Sequence, residues 1–241
     1  MREERLVVTC DGKRIRGVLH LPDHDQSPCV VISHGLFSDK GTVKFQEMAE
    51  EFPGAGFAVL RFDFMGCGES EGRVEETTIS GRLANLEMMF ALARSHPLIN
   101  REGIGLMGSS MGGYISLLKA ARDERVKALV VWATPFILDE LKEKIQTGEE
   151  PALEPSFYAE LDRYTLGSLL GKVRNCLVIH GDTDELVPDS HARQIYYRLG
   201  RPRGMRIVRD ADHRFSDHGH RFQARELTLD WFRRFLTPGD H

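Results

Sequence analysis

Short apolar runs alternate along this chain with stretches whose apolar positions recur every three or four residues. Residues 5–10 and 14–21 read as an antiparallel strand pair around the tight turn Asp11-Gly12. Residues 29–33 are nearly all apolar, as expected of a strand buried on both faces. Phe45, Met48, Ala49 and Phe52 follow at helical spacing, residues 57–62 predict the next strand, and Ile79, Leu83, Leu86, Phe90 and Ala93 mark a long helix. Further strands are predicted at 104–107, 128–133, 176–179 and 205–208. Helices are predicted at 113–121, along the face Ala192, Ile195, Tyr196 and Leu199, and along the face Ala224, Leu227, Trp231 and Phe235. Such alternation predicts an α/β architecture, a mainly parallel sheet with helices on both faces.

One stretch breaks the alternation. Residues 135–172 carry no strand pattern. They hold Leu138, Leu141 and Ile145, then a polar Gly-Glu-Glu-Pro hinge at 148–151, then Phe157, Tyr158, Leu161 and Tyr164. Two or three short helices are predicted here, more chain than a crossover needs. The expectation is a small helical cap over an active site, inserted within a single domain spanning 1–241. Packing within the cap is the plain role for Tyr158 and Tyr164, with a hydrogen bond to a phenolic substrate as the alternative.

Composition narrows the function. The net charge is −4, with both signs interspersed, so no nucleic-acid footprint or polybasic membrane patch is evident. The apolar runs are too short for a membrane span. The first residues, Met1-Arg2-Glu3-Glu4-Arg5, lack the apolar core of a signal peptide, so a cytoplasmic location is expected. Cys10, Cys29, Cys67 and Cys176 stand apart, with no C-x-x-C pair to suggest zinc or redox chemistry.

The chemistry concentrates at Gly108-Ser109-Ser110-Met111-Gly112, between a predicted strand and a predicted helix. In that setting G-x-S-x-G reads as a nucleophile elbow with Ser110 at a strained turn. Side chains at Gly108 or Gly112 would strike neighbouring backbone. A glycine-rich turn without chemistry is the alternative. Ser109 does not fit between the glycines and receives a structural role. A serine needs a base, and the base an orienting carboxylate. Asp184 and His213 follow predicted strands and stand in the order Ser, Asp, His. Rival readings exist nearby. Asp182 suits a turn-capping role, Asp212 adjoins His213 and so cannot easily face it, and Asp63 suits loop organisation through Ser70. His180 reads as a packing histidine, and His213, His218 and His220 would make a metal cluster only if further ligands joined them.

Together with His34-Gly35-Leu36-Phe37, Lys40, the run Arg61 to Ser70, and Gly181 to Pro188, these motifs mean that the chain resembles the α/β-hydrolase-fold serine hydrolases. The resemblance covers nearly the whole length, and within the fold it is most similar to small carboxylesterases of the cinnamoyl/feruloyl esterase type. It implies an eight-stranded, mainly parallel sheet. It also implies Ser110, Asp184 and His213 as the catalytic triad and an oxyanion hole from the Leu36 and Met111 N–H groups, each worth about 3–4 kcal/mol in the transition state. Gly35 would let the backbone approach the substrate, and Phe157 and Leu161 of the cap would touch it. The expected reaction is hydrolysis of a small carboxylic ester, without metal or cofactor and without nucleic-acid or membrane partners. A thioester, lactone or peptide substrate, or a non-catalytic binding protein on the same fold, stays open, as does oligomeric state, with a homodimer among the options.

Overall fold

The computed structural model describes residues 2–139 and 151–237. Leu141, Ile145 and Gly148 to Glu150 of the predicted insertion lie outside the described residues. The hairpin forms as its sequence predicts. β1 (Arg2–Cys10) and β2 (Lys13–Leu21) pair antiparallel around Asp11 and Gly12, whose φ values of 49° and 76° are what a two-residue turn of this hand requires. The remaining strands are β3 (Ser27–Ser33), β4 (Ala58–Phe62), β5 (Ile99–Ser109), β6 (Ala128–Trp132), β7 (Cys176–Gly181) and β8 (Arg203–Val208). They form one eight-stranded sheet in the order β1-β2-β4-β3-β5-β6-β7-β8. Only the β1–β2 and β2–β4 pairings are antiparallel, so the six strands from β4 to β8 all point one way.

The central strands are buried on both faces, and strand alternation divides their residues between two cores. Cys29 and Val31 of β3 face one core, Val30 and Ile32 the other. α2 (Ile79–Ser95), α3 (Met111–Ala120), α4 (Pro155–Ala159) and α5 (Asp189–Arg198) cover the first face. α1 (Val43–Glu51) and α6 (His218–Leu236) cover the second.

α6 does not bury the face predicted for it. Ala224 is buried, but the other inward residues are Thr228, Leu229, Phe232 and Leu236, while Leu227, Trp231 and Phe235 lie only partly covered. The polar Thr228 conceals the true stripe in the sequence. It turns inward because the fully buried Trp132 needs an acceptor, and Trp132 Nε1 donates to Thr228 Oγ1 at 2.9 Å.

The described part of 135–172 contains α4 and a 3₁₀ turn, Leu170–Lys172. It is not a loose cover. Leu153, Phe157, Leu161, Leu166 and Leu170 are buried within the first core. Polar ties also hold the segment. Glu160 accepts from the Ser80 N–H at 2.9 Å and the Ser80 hydroxyl at 2.5 Å, and the Tyr114 hydroxyl donates to the Tyr164 carbonyl at 2.6 Å. Among the described residues no helix is long and apolar enough to cross a membrane.

Candidate active site

Parallel strands deliver their following loops to one edge of the sheet, and Gly35, Leu36, Ser110, Asp184 and His213 follow β3, β5, β7 and β8 there, whereas Phe157 and Leu161 lie in the first core. β5 ends at Ser109 and α3 starts at Met111, leaving Ser110 alone to turn the chain. Its φ of 55° and ψ of −124° lie where a residue with a side chain is strained. The Ser110 N–H donates to the Trp132 carbonyl at 2.8 Å, which pins the turn to β6. The flanking glycines are sterically required. A Cβ on Gly108 would overlap the Gly112 backbone, and one on Gly112 would overlap the backbone of Ser33 and His34. α3 begins two residues earlier than predicted, so Met111 is its first residue and the Met111 N–H has no partner inside the helix.

The acid and the base arrive from β7 and β8. His213 Nε2 lies 3.1 Å from Ser110 Oγ, and His213 Nδ1 lies 3.0 and 2.9 Å from the two oxygens of Asp184. Asp184 Oδ1 also accepts the backbone N–H groups of Leu186 at 3.0 Å and Val187 at 2.7 Å. Burial works against the Asp184 charge. The hydrogen bonds from His180 and His213, the charge of His213 and the Val187 N–H outweigh it and hold the carboxyl well below the usual carboxylate range. The His213 ring proton therefore belongs on Nδ1, leaving Nε2 free to take the proton of Ser110.

The rival residues take other work. Asp182 Oδ1 accepts the Asp210 N–H at 2.6 Å, tying the β7 and β8 loops together. Asp212 Oδ1 accepts the Ser216 N–H at 2.7 Å inside its own turn. Asp63 accepts the Lys40 N–H and Nζ, both at 2.7 Å, and its carbonyl accepts the Ser70 hydroxyl at 2.7 Å. Among the described residues no group of three His, Cys, Asp or Glu side chains is arranged to hold a metal, so His213, His218 and His220 form no such set. Ser109 Oγ accepts from the buried Lys44 Nζ at 2.8 Å, and burial pushes that ammonium down to about 8.

Around Gly35 the chain is held from three sides. A Cβ on Gly35 would sit 3.5 Å from the Ser110 Cβ, so this backbone lies against the serine. His34 is fully buried, which pushes its imidazole down to about 3. As a neutral ring it donates from Nδ1 to the Gly35 carbonyl at 2.8 Å and accepts the Phe64 N–H on Nε2 at 3.0 Å. The third support, Arg82 of α2, was not legible as functional. Its buried guanidinium donates to the carbonyls of Gly35 at 3.3 Å and Leu36 at 2.8 Å and to Thr77 Oγ1 at 2.9 Å. Those donations fix the orientation of the two peptide units that carry the Gly35 and Leu36 carbonyls. A lone arginine in an amphipathic helix carries no sequence signal for that role.

Comparison with known proteins agrees with this geometry. A family model described as alpha/beta hydrolase fold matches residues 28–175. A protein of Mycobacterium tuberculosis named "Putative phosphoribosyl transferase" is 26% identical over 232 residues, 96% of this chain and 46% of its own length. A thiohydrolase of Aspergillus aculeatus is 32% identical over 139 residues, 57% of this chain and 43% of its own. The chain thus spans about half the length of the curated relatives it matches. Among solved structures, the Est1E protein of Butyrivibrio proteoclasticus with ferulic acid bound superposes with a TM-score of 0.82 at 21% identity, covering 95% of this chain and 99% of that one. At that identity the likeness is one of fold. The eight-stranded sheet, the strained serine between β5 and α3, and a family match across more than half of the chain agree: the chain belongs to the alpha/beta hydrolase fold family.

Proposed function

We propose that this chain is a serine hydrolase that cleaves small carboxylic esters by way of an acyl-enzyme. The observation that carries the reading is the unbroken relay from Ser110 Oγ through His213 to Asp184, with links of 3.1 and 2.9 Å, at a serine held in strained backbone. Ser110 Oγ attacks the acyl carbon while His213 Nε2 takes its proton. The Leu36 and Met111 N–H groups receive the oxyanion, and Gly35 keeps that side open to the substrate. His213 then returns the proton to the departing alcohol. Water, activated by His213, releases the acid and restores Ser110. Asp184 holds the imidazole in the required tautomer throughout.

Within this reaction class we favour an aromatic acyl group of the cinnamoyl or feruloyl kind. Support comes from the fold shared with a protein that binds ferulic acid and from the aromatic Phe157 and Tyr158 in the insertion. Phe157 and Leu161 are proposed to back the acyl pocket from the first core. A thioester is the second reading, favoured by the thiohydrolase relative.

A fluorophosphonate probe together with p-nitrophenyl esters of increasing acyl length, methyl ferulate and an acyl thioester tests these readings. Wild-type protein is expected to label and to turn over esters, and Ser110→Ala to do neither while keeping its fold. Ser109→Ala is expected to retain most activity. Turnover surviving in Ser110→Ala but not in Ser109→Ala would reassign the nucleophile, and faster thioester than ester cleavage would select the second reading.

A further inference from the structure

The triad acid has a second histidine against it. β7 runs two residues beyond its predicted end, to Gly181, and so carries His180 into the core with none of its surface exposed. His180 Nε2 lies 2.8 Å from the Val187 carbonyl and 3.1 Å from Asp184 Oδ2. Both neighbours only accept, so the ring proton sits on Nε2 and one N–H serves two oxygens. Nδ1 is buried and has no partner among the described residues.

That orphan nitrogen argues against a packing role. A buried acceptor without a donor costs free energy that a phenyl ring of similar shape would not cost. The compensation lies at Nε2. Asp184 Oδ1 accepts two backbone N–H groups as well as facing His213, whereas the partners of Oδ2 among the described residues are His213 and His180. Without His180, Oδ2 would be held by His213 alone, the partner that moves in the reaction, and only the two N–H groups at Oδ1 would otherwise resist rotation of the carboxylate about its Cβ–Cγ bond. The Val187 carbonyl would also lose its tie to β7, and Val187 is the residue whose N–H anchors Oδ1.

We propose that His180 is a positioning residue, which sets the rotation of the Asp184 carboxylate through Nε2–H and thereby the angle at which His213 meets Ser110. This rests on the serine-hydrolase reading above. Its effect falls on the chemical step and not on substrate binding. His180→Phe keeps the ring shape and removes the donor, and His180→Gln returns an amide N–H near the Nε2 position.

The experiment compares kcat and KM for p-nitrophenyl acetate in wild type and both variants, with the low-field proton NMR signal of the His213 Nδ1–H bond to Asp184. His180→Phe is expected to lower kcat about tenfold or more, the loss of one hydrogen bond to a charged group, with KM little changed. Its low-field signal is expected to shift or broaden, and His180→Gln to recover most of both. Wild-type kcat and an unshifted signal in a folded His180→Phe would overturn the proposal. So would equal loss in both folded variants. Should His180→Phe fail to fold, ¹⁵N-histidine spectra of the wild type decide: Nε2-protonated His180 upholds the assignment, and Nδ1-protonated His180 overturns it. Ser110→Ala serves as the control. If it is as active as wild type, the hydrolase reading itself has failed; if it is inactive, failure at His180 is failure of this inference alone.

Discussion

Ser110 owes its placement to backbone geometry. At φ 55° its hydroxyl projects from the turn between β5 and α3, and two glycines absorb the crowding that the turn creates. Asp184 is placed differently, by the donors packed around a carboxylate with no exposed side-chain surface. Two aspartates stand two positions apart, and only one reaches the histidine. Asp184→Asn is therefore expected to cut kcat by about 10³–10⁴-fold, because an amide cannot hold the Nδ1–H tautomer. Asp182→Asn keeps an amide oxygen able to accept the Asp210 N–H and is expected to leave kcat within about threefold, since this hydrogen bond does not touch the relay. Steady-state kinetics on one ester checks both. Equal loss in the two variants would reassign the acid.

At the scale of elements, the segment 151–172 and α2 act as one structural unit. Thr78 caps α2 by accepting the Gly81 N–H, and Glu160 from the segment satisfies the neighbouring Ser80 N–H. One turn further on, Arg82 grips the Gly35 and Leu36 carbonyls. Truncating a residue of this segment would cost little stability only if it lay outside the main core, and Phe157 does not. Phe157 is 1% exposed and belongs to the first core, where its side chain meets Tyr158 edge to face at 5.4 Å between centroids. Phe157→Ala is expected to cost about 3–5 kcal/mol, measured by urea unfolding, because a cavity opens as well as a transfer term being lost. If Phe157 also backs the acyl pocket, the ranking of acyl chain lengths should change by about tenfold in kcat/KM. A large stability loss with unchanged ranking would make the segment scaffold alone.

For the whole molecule, buried titratable groups tie stability to pH. His34 is pushed down to about 3 when folded, against about 6.5 in an unfolded chain. Between those values the unfolded state binds the extra proton, so unfolding free energy falls as pH falls. The loss begins near pH 6.5 and reaches on the order of 4 kcal/mol by pH 3. Asp184, held below the usual carboxylate range, adds to the loss only below about pH 4, where its unfolded form protonates. Urea midpoints from pH 7 to 3 are expected to fall more steeply in wild type than in His34→Gln, so that the two curves converge. Parallel curves would show that His34 does not carry the acid sensitivity.

Much of this was legible in residue order alone. Alternation of apolar runs and helical spacings announces a parallel sheet, because a strand covered on both faces must be apolar throughout and its helices need one apolar side. The elbow glycines and the order of Ser110, Asp184 and His213 are local chemistry written in short motifs. What stayed hidden depends on partners far apart in the chain. The inward face of α6 turns on Trp132 needing Thr228, 96 residues away. The seat of Phe157 depends on the first core it joins, the grip of Arg82 on a loop 46 residues earlier, and the work of His180 on how far β7 extends. Sequence by itself determined which groups could do the chemistry, since reactivity belongs to residue type and local turn. Only the tertiary structure decided which of them meet, because a hydrogen bond is made over about 3 Å and depends on where the packed sheet brings distant loops together.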